Sequence, residues 1–287
     1  MGTLVGHVVP GTFFICFSLW WAIAIFRRYF HSAFNPKAPA YKSTATFTSP
    51  RANVPLEPLL KLLACIIGII GEAVTGFDND WNYSNIMNNL QHIAMFGFYL
   101  MNSIADLAIF YKVRHLPPNI DYIFASVAIA NEGFLFANHL HGRPMLDTKL
   151  HMCLVVTILL CFIATIIELI VDKCDVRPAL MRSTCHLWQG TWFYHIGFCL
   201  YPPAGFPSWD QDNHANAMVS VLMFMGHFAC AVIIITVIGI LVYQKEKQRQ
   251  PAKYQKLPTS SQNGHALSPM LVAENEEEEE EVFLQSC

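Results

Sequence analysis

The sequence predicts an all-α protein: a multi-pass transmembrane bundle of about seven helices, with its N-terminus outside or lumenal and its C-terminus in the cytoplasm. The chain is 54% hydrophobic and only 14% charged, whereas soluble domains average about 45–50% and about 25%. Apolar segments of about 20 residues, the length that crosses a bilayer, recur along it. The lysines and arginines segregate to one side of these segments, which gives the bundle its direction.

The apolar segments together form a predicted transmembrane domain over residues 1–245. The first segment has no basic n-region and no cleavage site, and Arg27 and Arg28 follow it, so we interpret it as a retained span and not as a signal peptide. Residues 246–287 are polar and predict a disordered cytoplasmic tail. The predicted spans are residues 8–26, 58–76, 90–111, 120–140, 152–171, 179–201 and 217–243.

The distribution of basic residues supports both the number of spans and their direction. With the C-terminal tail in the cytoplasm, every lysine and arginine except Arg143 and Lys149 falls on the cytoplasmic side. The predicted outside loops 77–89 and 202–216 contain aspartates but no lysine or arginine. An added or missing span would reverse the second half of this pattern.

Two features concern the outside loops and the cysteines. Asn82-Tyr83-Ser84 is the one N-glycosylation sequon in the chain, and its position in a predicted outside loop agrees with the orientation. Most of the nine cysteines lie within apolar runs and have no metal-finger spacing. We therefore interpret them as small packing residues.

Ionisable side chains within the predicted spans are the candidate functional residues, because a charge in hydrocarbon is costly and is retained for a reason. Most of them fall in the outer half of the membrane, whereas Asp106, Glu168, Arg182 and His186 fall in the inner half. The candidate polar or metal cluster consists of His7, Glu72, His92, Glu132, His139, His141, His151 and His227, with His195 nearby.

Three interpretations of this cluster remain open. The histidines and glutamates can hydrogen-bond between helices and hold the bundle together. Neutral imidazole with carboxylate also suits a transition metal, and His139-x-His141 followed by His151 is compatible with such a site. A haem between two histidines on facing helices, such as His92 and His227, or a proton relay is the third interpretation.

Three stretches of sequence carry a resemblance to a known family. They are residues 6–14 (GHVVPGTFF), residues 132–151, which include EGFLF, HLHGRPMLD and His151, and residues 189–210, which include QGTWF, YPP and WD. Taken together they resemble the transmembrane protein 45 family of multi-pass membrane proteins over about residues 1–245. Residues 32–56 and the stretch Gly226-His227-Phe228 depart from the family pattern, so the resemblance is to a divergent member. The resemblance implies a location in Golgi, endosomal or other internal membranes. It does not assign a reaction or a ligand to any residue of this chain.

The tail contains one short motif that fits a known sorting signal. Tyr254-Gln255-Lys256-Leu257 fits the YxxΦ pattern that clathrin adaptors bind as an added strand, and Tyr254 and Leu257 would make the specific contacts. Residues 276–281 are an acidic run that repels itself. The net charge of −3 argues against nucleic acid as a partner. The partners that the sequence predicts are the lipid bilayer and, through the tail, clathrin adaptors. The sequence does not define an oligomeric state.

Two functions remain as hypotheses. The first is a non-enzymatic integral protein of Golgi, endosomal or plasma membranes that acts in trafficking or signalling through partners. The alternative is a metal- or haem-binding membrane enzyme or transporter that uses the histidine and glutamate cluster. A G-protein-coupled receptor has the same number of spans, but the third span ends Ile109-Phe110-Tyr111-Lys112 without a DRY-like triplet and the seventh has no NPxxY.

Overall fold

The computed structural model describes residues 3–47, 54–76, 83–138, 140 and 142–249. Within these residues all regular structure is helical, which confirms the predicted all-α bundle of about seven helices. The helices are α1 (Leu4–Phe34), α2 (Leu56–Gly76), α3 (Tyr83–Phe110), α4 (Ile120–Asn138), α5 (Met145–Ile170), α6 (Arg177–Leu200) and α7 (His214–Gln248).

Six of these helices are long and apolar enough to cross a membrane, and α6 is the exception. It has 24 residues, or about 36 Å of helix, so its length is sufficient and its polarity sets it apart. The cause lies in its position: α6 packs against α1, α5 and α7, and side chains such as Gln189 and Trp192 are fully buried. A helix enclosed by other helices needs no apolar face toward lipid.

The remaining helices pack in sequence around this central helix. α2 packs on α3, α3 on α4 and α4 on α5, while α7 packs on α1 and α5. α1 packs chiefly along α6 and α7, and it contacts α2, its neighbour in the chain, through the hydrogen bond from Trp21 to Glu57. This arrangement leaves a space between α1 on one side and α2 and α3 on the other.

Small residues allow α1 and α6 to approach closely. A Cβ atom added to Gly11 would lie 2.9 Å from the carbonyl oxygen of Gly190, and one added to Gly190 would lie 2.9 Å from that of Gly11. Two turns along the same seam, the Ser183 hydroxyl donates to the Ser18 carbonyl at 2.7 Å. Both hydrogen bonding and van der Waals packing therefore hold these two helices, as small residues do within membranes.

The segment predicted as a loop between the first two spans is partly helical and partly folded onto the bundle. α1 continues past Arg27 and Arg28 to Phe34, and Arg28 stacks on the Phe47 ring at 4.6 Å. Tyr41 and Phe47 are 2% and 1% exposed. Their burial explains why the polar stretch is ordered here: it covers one end of the helix bundle.

Candidate functional site

The space between α1, α2, α3, α4 and α6 is a cavity of about 190 Å³. Most of its wall is apolar and aromatic. Two of its lining residues, Gly6 and Phe13 of α1, are exposed at the surface. The aromatic lining consists of Phe13, Phe14, Phe17, Trp21, Phe96, Tyr99, Phe136 and Phe193.

One end of the cavity, which we call the charged end, is formed by Lys61 of α2 and Arg182 of α6. Both cations lie against Trp21 of α1: Lys61 Nζ is 5.6 Å and Arg182 Cζ is 4.5 Å from its ring centroid. Such cation–π contacts contribute more when the groups are desolvated. Three helices thus meet at a single aromatic ring.

The charge of Lys61 is balanced by two carboxylates. Its Nζ lies 2.7 Å from Glu57 Oε1 and 3.3 Å from Asp106 Oδ2. Glu57 also accepts hydrogen bonds from Trp21 Nε1 at 2.9 Å and from the backbone N–H of Phe47 at 3.0 Å. Glu57 therefore links α1, α2 and the segment that covers the bundle end.

Arg182 forms a second buried pair with Glu168 of α5. Arg182 Nε donates to Glu168 Oε2 at 2.5 Å, and Tyr122 donates to Glu168 Oε1 at 2.8 Å. Both side chains of the pair are at most 4% exposed. Because each charge is fully removed from water, the pair is stable only while both members are present.

The covering segment completes the charged end from outside the helices. Ala45 and Thr46 line the cavity, and Arg182 Nη2 donates to the Thr44 carbonyl at 3.2 Å. Burial raises the pKa of the nearby Tyr41 phenol above its ordinary value. That phenol is therefore neutral and adds no charge to the network.

The middle of the cavity contains a second polar group centred on Glu132 of α4. Tyr99 of α3 donates to Glu132 Oε2 at 2.6 Å and Gln189 of α6 donates to Glu132 Oε1 at 2.9 Å. Nearby, His186 Nδ1 donates to the Arg182 carbonyl at 2.8 Å, which leaves His186 Nε2 as an acceptor. These bonds connect three helices across the cavity.

The opposite end of the cavity carries Glu72 and His92. His92 Nδ1 lies 3.1 Å from Glu72 Oε1, and Asn89 donates to the Glu72 carbonyl at 2.8 Å. Both side chains are partly exposed. They form the polar rim of the cavity at the Glu72 end.

His7 and His151 form a separate group behind the cavity wall. Their ring centroids are 5.8 Å apart. His7 Nδ1 donates to the Thr3 carbonyl at 2.8 Å, and His151 Nδ1 lies 2.7 Å from Asp147 Oδ1. Tyr201 packs against His7 at 5.4 Å between centroids. In both rings the Nδ1 atom is engaged, and Nε2 is the atom available to a ligand.

His227 of α7 belongs to yet another group. Its ring lies 5.2 Å from that of His195 and 5.5 Å from that of Trp192, both of α6. His195 in turn stacks on Trp192 at 4.5 Å. These contacts are aromatic packing at the α6–α7 interface.

The structure therefore distributes the predicted cluster over separate groups. Glu72, His92 and Glu132 share the cavity, His7 pairs with His151, and His227 lies with His195 away from His92. Among the residues that the structure describes, no three His, Cys, Asp or Glu side chains form a group able to hold a metal. His139, His141, Asn82, Tyr254 and Leu257 lie outside the described residues.

Of the residues of the charged end, sequence reasoning missed Glu57 and Lys61, and it named Asp106, Glu168 and Arg182 only by their depth in the membrane. Glu57 directly precedes the predicted second span and Lys61 lies near its start, where the charge count assigns it to the cytoplasmic side, whereas α2 begins at Leu56 and buries Glu57 at 2% exposure. A signal was present: Glu57 and Lys61 are four residues apart, the spacing at which opposite charges pair on a helix. Asp106, Glu168 and Arg182 stand singly in the predicted inner half, and no pattern in the sequence indicates their partners.

One comparison with known proteins bears on this architecture. A family of unknown function, DUF716, matches residues 118–240. The matched region is less than half of the chain and extends from the start of α4 into α7. This family includes the transmembrane protein 45 proteins, and the match is consistent with a multi-pass membrane protein. The narrower resemblance to transmembrane protein 45 itself stays a prediction.

Proposed function

We propose that the protein is a non-enzymatic membrane receptor or carrier that binds a small amphipathic molecule in the cavity between α1, α2, α3, α4 and α6. The observation that carries this proposal is the cavity itself, with aromatic walls and polar groups confined to a few positions. Small-molecule sites have this composition. Its volume of about 190 Å³ exceeds the roughly 150 Å³ of engineered apolar cavities that bind benzene.

The arrangement of polar groups favours binding over catalysis. Glu57, Glu132 and Glu168 each accept hydrogen bonds from two or more donors in other parts of the bundle. Groups held in this way fix the shape of a cavity, because they lose these partners if they move. The ligand then acts by stabilising one packing of the helices, which a signalling or trafficking partner detects.

The test compares molecules that co-purify with the wild-type protein and with a variant whose cavity is filled. Ala64 lines the cavity, and Ala64→Phe places a ring within it. Ala130 is exposed on α4 and is not part of the lining, so Ala130→Phe is the matched control. Mass spectrometry of extracts should show a molecule in the wild type and in the control but not in Ala64→Phe; the same molecules in all three would refute binding in the cavity.

We further propose that the protein resides in Golgi, endosomal or plasma membranes and is sorted by its tail. The support is the pattern Tyr254-Gln255-Lys256-Leu257, which lies outside the described residues. Adaptors bind such extended peptides by strand addition. Tyr254→Ala should raise the amount of protein at the cell surface, with Tyr243→Ala in α7 as a control; an unchanged distribution would count against a sorting role.

A metal site is the second candidate function, and the orientation of His7 and His151 favours it; because the described residues contain no three-ligand group, such a site would also need His139 or His141, which lie outside them. His7 and His151 both donate through Nδ1 to an oxygen, of the Thr3 backbone and of Asp147 respectively. Metal-binding histidines are oriented in this manner by a carbonyl or carboxylate. Elemental analysis of the purified protein should then find a metal that is lost from His7→Phe and His151→Phe and retained in His195→Phe. A metal-free wild type after loading with zinc or copper would exclude this function.

A further inference from the structure

We infer that the ligand of the cavity is a single-chain carboxylate of the fatty-acid class, with its carboxylate at the charged end beside Lys61 and Arg182. This inference rests on the proposed function, because it names the class of molecule that the cavity binds. It depends on three observations: the sign of the charges that face the cavity, the hydrogen-bond donors that these charges still have, and the apolar wall that adjoins them.

The cations face the cavity and their counter-charges do not. Lys61 and Arg182 belong to its lining, whereas Glu57, Asp106 and Glu168 lie behind them. A molecule that enters the charged end therefore meets positive groups first. An acceptor head group there meets the N–H donors of Lys61 and Arg182 before the carboxylates behind them, whereas an ammonium head group brings only donors of its own.

Each cation has donors that the protein does not use. Arg182 uses Nε for Glu168 and Nη2 for Glu168 and the Thr44 carbonyl. Its Nη1 has no acceptor among the residues that the structure describes. Lys61 uses two of its three protons for Glu57 and Asp106. Three N–H donors on two cations thus remain for a ligand, in line with the donor inventory of arginine and lysine.

A carboxylate fits these donors better than a phosphate does. Arginine and carboxylate form short, charge-assisted hydrogen bonds. A phosphate monoester carries about one further negative charge, and three carboxylates stand directly behind the two cations. The extra charge would increase their repulsion in a site with little water to screen it. A single negative charge is the one that this end of the cavity accommodates.

The wall beyond the charged end fits one hydrocarbon chain. Phe13, Phe14, Phe17 and Phe96 line it between Lys61 and the Glu72 end. Lys61 and Glu72 are eleven residues apart on α2, or about 16 Å along the helix axis. A volume of about 190 Å³ holds the head group and the first part of one chain, and the rest of a longer chain extends past Phe13 into the bilayer; two chains side by side do not fit within it. The exposed Phe13 marks the side from which the chain enters from the bilayer.

The experiment measures binding of matched amphiphiles to the wild-type protein in lipid nanodiscs, with empty nanodiscs subtracted. Displacement of a fluorescent fatty acid is recorded with oleate, oleyl alcohol, oleylamine and acetate. Oleate should bind at least about tenfold tighter than oleyl alcohol, a ratio that one charge-assisted hydrogen bond can supply. Oleylamine should bind more weakly than the alcohol, and acetate should not displace the probe.

The outcomes separate this inference from the proposed function. Equal affinity for oleate and oleyl alcohol, or tighter binding of oleylamine, would overturn the carboxylate assignment and leave a cavity that binds amphiphiles. Displacement by acetate at the concentrations used for oleate would overturn the assignment to the fatty-acid class. If no amphiphile binds, both the inference and the proposed function fail.

A charge-conserving variant tests the residues themselves. Lys61→Met combined with Asp106→Asn removes one positive and one negative charge together, so the net charge of the charged end does not change, and Glu57 keeps the hydrogen bonds that Trp21 Nε1 and the Phe47 N–H donate to it. The preference for oleate over oleyl alcohol should fall by about tenfold. Lys149→Met, at an exposed position on α5, should keep the full preference. An unchanged preference in the double variant would place the carboxylate elsewhere.

Discussion

Gly11 and Gly190 face each other where α1 crosses α6, with so little space that a Cβ atom on either would lie 2.9 Å from the other's carbonyl oxygen. The obstacle is backbone on both sides, so no side-chain rotation relieves it. Close contact between these helices also places the aromatic residues of α1, including Phe14 and Trp21, against His186 of α6. The cavity wall therefore depends on two residues that have no side chain.

Replacement of Gly190 with alanine should destabilise the bundle. The added methyl group forces α1 away from α6, and overpacking of this kind costs about 1–3 kcal/mol. Thermal unfolding in detergent should show a lower midpoint for Gly190→Ala. Gly226→Ala is the matched control, because nothing lies within 4 Å of its added Cβ and alanine is the better helix former by about 1 kcal/mol. If Gly190→Ala were as stable as Gly226→Ala, the close approach of α1 and α6 would be wrong.

The buried pair of Arg182 and Glu168 should depend on both of its members. Arg182→Met leaves the Glu168 carboxylate without its cation, and breaking a buried pair in this way costs about 3–5 kcal/mol. The double variant Arg182→Met with Glu168→Gln should recover much of that loss, because no charge is then stranded. Unfolding midpoints of the two single variants and the double variant give the coupling directly. Additive effects would contradict a direct pair.

The exposed pair of Arg177 and Asp175 provides the contrast. Arg177 lowers the pKa of Asp175 through their hydrogen bonds, yet the Arg177 side chain is 87% exposed. Exposed ion pairs contribute little to stability because water and salt screen them. Arg177→Ala should therefore leave the unfolding midpoint almost unchanged.

The fold was predictable from the sequence because hydropathy and charge act locally. Apolar length identifies a span without knowledge of its neighbours, and six helices meet that condition in the structure. Hydropathy is least informative for α6. Its polar residues Arg182, His186 and Gln189 are acceptable within the membrane only because α1, α5 and α7 enclose the helix. One further signal was available, since Ser183, Gly190 and Gly197 recur every seven residues and Gly11 and Ser18 share that spacing.

For the candidate site, the sequence predicts which ionisable residues lie within the membrane but not which of them lie together. The sequence places His7, His92, His151 and His227 at similar depths, but depth does not determine which direction a side chain faces around a helix. The structure divides them among the α5 end, the cavity and the α6–α7 interface. Charge counting places Lys61 with the cytoplasmic basic residues and assigns no role to Glu57, whereas the structure buries Glu57 against Trp21 and the backbone N–H of Phe47.

Glu132 should tolerate glutamine but not leucine. A glutamine side chain of nearly the same shape can still bond to Tyr99 and Gln189, since the Tyr99 hydroxyl can accept as well as donate. Leucine would leave both partners unsatisfied, at about 1–3 kcal/mol for each buried group. Thermal unfolding should rank Glu132→Gln close to the wild type and Glu132→Leu well below it. Equal midpoints for the two variants would show that the bonds to Tyr99 and Gln189 are not made.

Glu57 should control the order of the segment that covers the charged end. Its carboxylate accepts from Trp21 Nε1, from the Phe47 backbone N–H and from Lys61 Nζ. Glutamine at this position has one acceptor oxygen and presents an N–H₂ group to the remaining donors. Glu57→Gln should therefore release the Phe47 N–H, and its amide hydrogen exchange should become faster, together with that of residues 41–47.

Lys42→Gln is the control for this exchange experiment, because Lys42 is exposed in the same segment. Exchange of residues 41–47 should stay slow in that variant, since local opening depends on buried contacts and not on surface charge. In α5, far from Glu57 along the chain, exchange should stay slow in both variants. Faster exchange throughout the bundle in Glu57→Gln would instead show that Glu57 stabilises the whole fold, and unchanged exchange at Phe47 would mean that its N–H does not bond to Glu57.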